Sequence, residues 1–130
     1  VSAAHCAMTS TPMNVTAQSD RMGICFHRSL PSLPATSLSR AVLPGTVQLP
    51  PDGKPILLLC DAQTIGGYPV LGQVIAADLP RAAQLRPGDT VCFSETTLPE
   101  AHRLLRHQHN VLGTVQQGIT HALGLAEKAE

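Results

Sequence analysis

Up to about Thr96 the apolar positions come in short runs broken by turn-forming residues; from Thr97 onward they recur every three or four positions. Residues 1–12 are small and polar and predict a loose lead-in. "MNVTAQ", residues 13–18, alternates enough for a short strand. "SDRMG", 19–23, is a turn by composition, and "ICFHR", 24–28, suits a second strand. Residues 29–40 are rich in Ser and Pro. Pro31 and Pro34, three apart, forbid a regular helix, so a loop is expected. The clearest local signal is "TVQLPPDGKPILLLCD", 46–61, where two apolar runs flank Pro51-Asp52-Gly53, residue types suited to a tight turn. It predicts a β-hairpin of 46–49 with 55–60. A further strand is expected over 68–77, and Gly72 within it marks a bulge or a close backbone approach. "LPRAAQL", 79–85, can make one helical turn. Pro87-Gly88-Asp89 then turns the chain into a strand over 90–94.

The change of period predicts a helix over 98–118. Thr97 and Glu100 have capping-box spacing, and Pro99 sits in the first turn, where its missing N–H does no harm. Ala101, Leu104, Leu105, Leu112 and Val115 fall roughly on one helical face, Gly113 and Gly118 weaken its later part, and 119–130 reads as a tail. Many short strands with turns between them and one terminal helix predict a mainly β protein, a barrel or a sandwich.

Composition narrows this picture in a few places. The chain has 130 residues, the size of one ordinary domain, and 43% of them are hydrophobic while only 2% are aromatic, so the core must be aliphatic. Nine basic residues balance nine acidic ones, which argues against a nucleic-acid footprint or a polybasic membrane anchor. Cys6, Cys25, Cys60 and Cys92 make no CxxC pair. Cys60 and Cys92 sit in apolar runs, where a free thiol behaves as a small buried hydrophobe, and a reducing, cytoplasmic setting is expected. No run reaches the length of a membrane span. The start, "VSAAHCAMTSTP", lacks the charged beginning and apolar centre of a secretory signal, and it begins with Val, as a piece of a longer protein would.

Candidate chemistry gathers at the joint between two apolar runs, "DAQTIGGYP", 61–69. Gly66 and Gly67 permit positive φ and let a ligand or another strand approach the backbone closely, and adjacent N–H groups in such a turn can form an anion-binding nest. Asp61, Gln63 and Thr64 offer an acceptor, an amide and a hydroxyl, and Tyr68 adds a donor on a flat ring. This set suits a small amide or carboxylate; a tight hairpin whose polar residues bond their own backbone is the plain alternative. Arg21 can grip a carboxylate with its fork, with Asp20 orienting it, or the two can form a surface turn. Gln48 faces the same cleft as Gln63 or merely flanks a ladder, and Asp78 and Asp89 border turns they can cap. His102, His107 and His109 lack the partners and spacing of a zinc site, so they read as solvated and no metal is expected. Alternation places Cys25 and His27 on one strand face, the one arrangement here that favours an activated thiol.

"SDRMG" and "DAQTIGGYP", in this order, with "GTVQLPPDGKPILLL" between them and "ADLPRAAQLRPGD" after, resemble the C-terminal part of the KipA-like family. Its members are called the C subunit of 5-oxoprolinase or allophanate hydrolase subunit 2, and they resemble in turn the carboxyltransferase region of urea carboxylase. The resemblance spans roughly residues 13–101. It implies a cyclophilin-like β-barrel portion over 13–97, present here as part of a longer protein. It further implies work beside two other 5-oxoprolinase components, a KipI-like B subunit and an A subunit, which together with it open 5-oxoproline to glutamate with ATP. The chain departs from the family pattern at Ile24, Cys25 and Phe26, at Arg40 and Ala41, and at Ile65.

On the enzymatic reading that the resemblance implies, Arg21 anchors the substrate carboxylate and Asp61 acts as base. Asp20, Gln63, Thr64, Gly66, Gly67 and Tyr68 bind substrate. No Walker-type phosphate loop is present, so ATP is a co-substrate of the complex handled elsewhere, and no cofactor is expected on this chain. The alternatives are a non-catalytic module docking a KipI-like partner and a carboxyltransferase-type domain of a urea carboxylase relative.

Overall fold

The hairpin that the Pro-Asp-Gly turn predicts forms the centre of the molecule's main sheet. The structure, a computed structural model, describes residues 2–34 and 38–124, so part of the expected 29–40 loop and the end of the expected 119–130 tail lie outside the described residues. The chain divides into two compact units between Glu95 and Thr96. The first carries the strands β1 (Met13–Asn14), β2 (Gly23–Cys25), β3 (Arg40–Ala41), β4 (Thr46–Gln48), β5 (Ile56–Leu58), β6 (Ile65–Gly66), β7 (Val70–Gln73) and β8 (Thr90–Val91).

β4 and β5 pair antiparallel with Val47 opposite Leu57 and Gln48 opposite Ile56. Their turn closes through Gly53 N–H to Pro50 O (3.0 Å), with Gly53 at φ 77°, a conformation open to glycine. β2 adds to the far edge of β5, and β7 to the far edge of β4, giving the order β2-β5-β4-β7. The register slips between Val47 and Gln48, which face Gly72 and Val70. The extra residue, Leu71, makes the bulge expected beside Gly72. An added Cβ at Gly72 would meet nothing within 4 Å. Two-stranded ribbons, β1-β8 and β3-β6, complete the pairing.

Several elements differ from the sequence expectations. Residues Ala3–Ser10 are a helix, α1, rather than a loose lead-in. The Ser2 hydroxyl caps it by accepting from His5 N–H (3.2 Å), and Ala4 and Met8, one turn apart, are buried in the core. Small residues in a polar stretch hid this two-residue apolar stripe. The strand expected over 68–77 ends at Gln73, and the chain turns through a 3-10 segment at Ala76–Asp78 into the short helix α2, Leu79–Ala82. The described strands close no barrel. They are also too short to make the chain mainly β: no strand exceeds 4 residues, whereas the terminal helix α3 (Leu98–Ala122) alone has 25.

One aliphatic core joins α1 to the sheet through Met13, Val15, Ile24, Leu30, Val47, Leu49, Leu57 and Leu71. Phe26, fully buried, meets Phe93 edge-to-face at 5.6 Å between ring centroids. Cys60 and Cys92, expected as buried hydrophobes, are both exposed, because β5 stops at Leu58 and β8 at Val91, before the strand alternation reaches them.

The second unit is α3, which runs four residues beyond the expected 118. Thr97 Oγ1 accepts from Glu100 N–H (3.4 Å), half of a capping box. The other half is diverted. The Glu100 carboxylate pairs in bidentate fashion with Arg103 (2.6 and 2.7 Å), which holds its pKa below the usual carboxylate value. Thr97→Ala removes the single side-chain cap, at a cost of about 1 kcal/mol; far-UV circular dichroism is expected to register it as lost helicity with β-sheet signals unchanged.

Candidate functional site

The turn "SDRMG" is built by its own side chains. Asp20 Oδ1 accepts from Met22 N–H (2.8 Å) and Gly23 N–H (3.2 Å), and Asp20 N–H donates to Gly23 O (3.0 Å). This is the turn-forming role for Asp20, exerted through backbone groups. Pairing of Gly23 with Leu58, followed by Leu59 N–H to Met22 O (2.9 Å), carries the turn alongside the end of β5. Only a glycine fits there without displacement: a Cβ at residue 23 would lie 2.9 Å from Ile56 Cγ2 and 3.1 Å from Leu57 O.

Arg21 thereby reaches Asp61, which follows directly on the second apolar run, and their Nε and Oδ2 are 2.8 Å apart. The Asp61 side chain is about half exposed at 45%, and that of Arg21 is 89% exposed. The pair therefore contributes little to stability and remains open to an incoming ligand. Both residues line a concavity of about 360 Å³. Ser19, Asp20, Ile24, Leu59, Cys60, Ala83, Leu85 and Pro87 complete its lining. A cation, two carboxylates and a patch of aliphatic surface suit a small molecule with one anionic end and a short apolar body.

The other residues singled out at "DAQTIGGYP" lie elsewhere. Gln63, Thr64, Gly66, Gly67 and Tyr68 do not line this concavity. Thr64 O accepts from Val42 N–H (2.9 Å), and Gly66 and Ile65 pair with Arg40 and Ala41 in the β3-β6 ribbon. Neither Gly66 nor Gly67 takes positive φ, so they do not form the left-handed turn of an anion nest. The requirement at 66 is steric: a Cβ there would run into the Gln48 amide. Gln48 is 1% exposed, and its Nε2 has no hydrogen-bond partner. Sequence reasoning placed Gln48 at the cleft or along a ladder; strand alternation alone does not reveal that both faces of β4 are covered. Asp89 caps its turn through Arg86 N–H (2.7 Å), whereas Asp78 makes no cap and stands 3.7 Å from Arg81.

Cys25 is no activated thiol. Partial burial, reinforced by the charges of Asp20 and Asp52, raises its pKa and disfavours the thiolate. Alkylation at neutral pH followed by mass spectrometry is expected to label the exposed Cys6, Cys60 and Cys92 well before Cys25.

The sequence over residues 2–95 matches a family described as "Carboxyltransferase domain, subdomain A and B". It is 45% identical over 101 residues to the C subunit of 5-oxoprolinase from Haemophilus influenzae, covering 76% of this chain and 33% of that protein. With the C subunit of 5-oxoprolinase from Escherichia coli the identity is 38% over 106 residues, covering 78% and 34%. The chain thus spans about a third of the length of these relatives. Among solved structures, TTHA0988 superposes with a TM-score of 0.64 at 34% identity, over 73% of this chain and 19% of that one. Urea carboxylase of Kluyveromyces lactis superposes at 0.72 and 22% identity, over 80% and 10%, a likeness of fold.

Proposed function

Since the chain belongs to the family of carboxyltransferase domains, subdomain A and B, we propose that it is the C-terminal portion of one of the subunits of ATP-dependent 5-oxoprolinase, opening 5-oxoproline to glutamate. The observation that carries this reading is the meeting of Arg21 with Asp61 over one concavity, in a chain 45% identical to the C subunit of a 5-oxoprolinase. The lactam amide of 5-oxoproline resists water through resonance. Phosphorylation of its carbonyl oxygen by ATP makes that carbon electrophilic; water adds to it, the ring C–N bond breaks with its nitrogen taking up a proton to become the amine, and the acyl phosphate left behind is hydrolysed to glutamate and phosphate. In this scheme Arg21, its Nε held by Asp61, offers its other N–H donors to the substrate carboxylate. Asp61, lining the same concavity, accepts the proton of the attacking water. Asp20 shapes the turn that presents the arginine.

The ATP is bound by partners, a KipI-like B subunit and an A subunit, and this chain carries no cofactor of its own. Gln63, Thr64, Gly66, Gly67 and Tyr68 contact substrate only once the rest of the family architecture stands beside them, and that same addition completes a cyclophilin-like barrel. The four free cysteines suit a reducing cytoplasm. No described helix is long and apolar enough to cross a membrane.

A second reading, a module that docks a KipI-like partner without catalysis, is favoured by exposed apolar side chains on and beside the β3-β6 ribbon: Leu38, Leu43, Ile65 and Tyr68. The two readings part in one assay. With the A and B components, ATP and 5-oxoproline, the enzymatic reading expects glutamate release that needs this chain and none from the chain alone. The docking reading expects partner capture with release indifferent to Arg21 and Asp61.

A further inference from the structure

The period of α3 is that of a helix made to lie along another helix. Leu98, Ala101, Leu105, Gln108, Leu112, Val115, Ile119 and Ala122 are spaced alternately three and four residues apart. This is the a/d pattern of a coiled coil over three and a half heptads, about 37 Å of helix. None of its residues is buried; Leu112 is 60% exposed, Val115 53% and Ile119 53%. An isolated helix of this kind, with two glycines in its second half, has little intrinsic stability in water. α3 also lies beyond the matched family region, which ends at residue 95.

We propose that α3 pairs in parallel register with α3 of a second copy of this chain. Three features point to a second copy. The 3.5-residue repeat calls for a helical partner of matching length, which the second copy supplies. The flanking positions, His102, Leu104, His109, Val111, Gln116 and Gly118, carry neither Lys, Arg, Asp nor Glu, so no fixed charge repels an identical helix. In parallel register the one strongly polar seam position, Gln108, meets Gln108 of the second copy, where two amides can bond each other. Antiparallel pairing would set it against leucine. A polar seam residue of this kind fixes register in coiled coils.

The test is the mass of the full 130-residue chain by sedimentation equilibrium from 1 to 100 μM, with charge substitutions at the seam. The native chain is expected at twice 13.7 kDa. Gln108→Glu and Gln108→Lys are each expected to sediment as single chains, and an equimolar mixture of the two to recover the dimer. Gln117→Glu, on the opposite face, leaves the dimer intact, and the circular dichroism of the sheet unit reports that each variant is folded. A native chain that stays monomeric at 100 μM overturns the proposal. So does a dimer that survives either Gln108 charge, or a mixture that fails to reassociate.

Discussion

Phe26→Ala is expected to lower the stability of the sheet unit by about 3–5 kcal/mol, the range for deleting a buried aromatic ring. The side chain is fully buried at the bridge where Val15 pairs with residue 26, and it packs edge-on against Phe93. These two rings are the only phenylalanines of a chain that is 2% aromatic. Aliphatic neighbours such as Met13 and Leu57 keep their own places in the sheet and α1 contacts, so the vacated volume cannot be refilled without moving backbone. For a unit of this size the thermal midpoint falls by more than 10 °C, since each kcal/mol shifts it by about 4–8 °C. Scanning calorimetry measures it directly. Phe26 stands at one of the positions where the chain departs from the KipA-like pattern, and its burial assigns that departure to packing and not to the chemistry of the concavity.

The second large effect concerns activity. Arg21→Ala is expected to reduce ATP-dependent glutamate release in the reconstituted complex by about 10²–10³-fold, the scale on which a single positioned charge or donor contributes. Stability should hardly change, because the arginine side chain is 89% exposed and an exposed ion pair adds little. The combination of unchanged melting and lost turnover separates a substrate contact from a structural one. Arg21→Lys keeps the charge but loses the planar fork, and it is expected to recover only part of the rate.

Much of this architecture was legible in the residues. The Pro-Asp-Gly turn between two apolar runs specified the β4-β5 hairpin, because turn chemistry and alternation act locally and agree. Thr97, Pro99 and the new period announced α3 for the same reason. What stayed hidden depends on distant partners. Helix α1 exists because Ala4 and Met8 find the sheet, and nothing near residues 3–10 in sequence records that burial. Gly66 reads in sequence as part of a positive-φ turn cradling a ligand, yet its smallness accommodates Gln48, eighteen positions earlier, and only the fold brings them together. The site divided in the same way. "SDRMG" and Asp61 do converge, whereas Ile65 and Gly66 pair with Ala41 and Arg40 in a separate ribbon.

The decisive measurement is a double-mutant cycle on glutamate release with Arg21→Ala, Asp61→Ala and the two combined, each assayed with the A and B components present. A shared clamp predicts strong coupling: each single change abolishes most of the rate, and the double variant loses no more than the worse of the two. Losses that multiply, or release that is indifferent to both residues, would mean that the arginine and the aspartate meet on the surface without serving a common ligand.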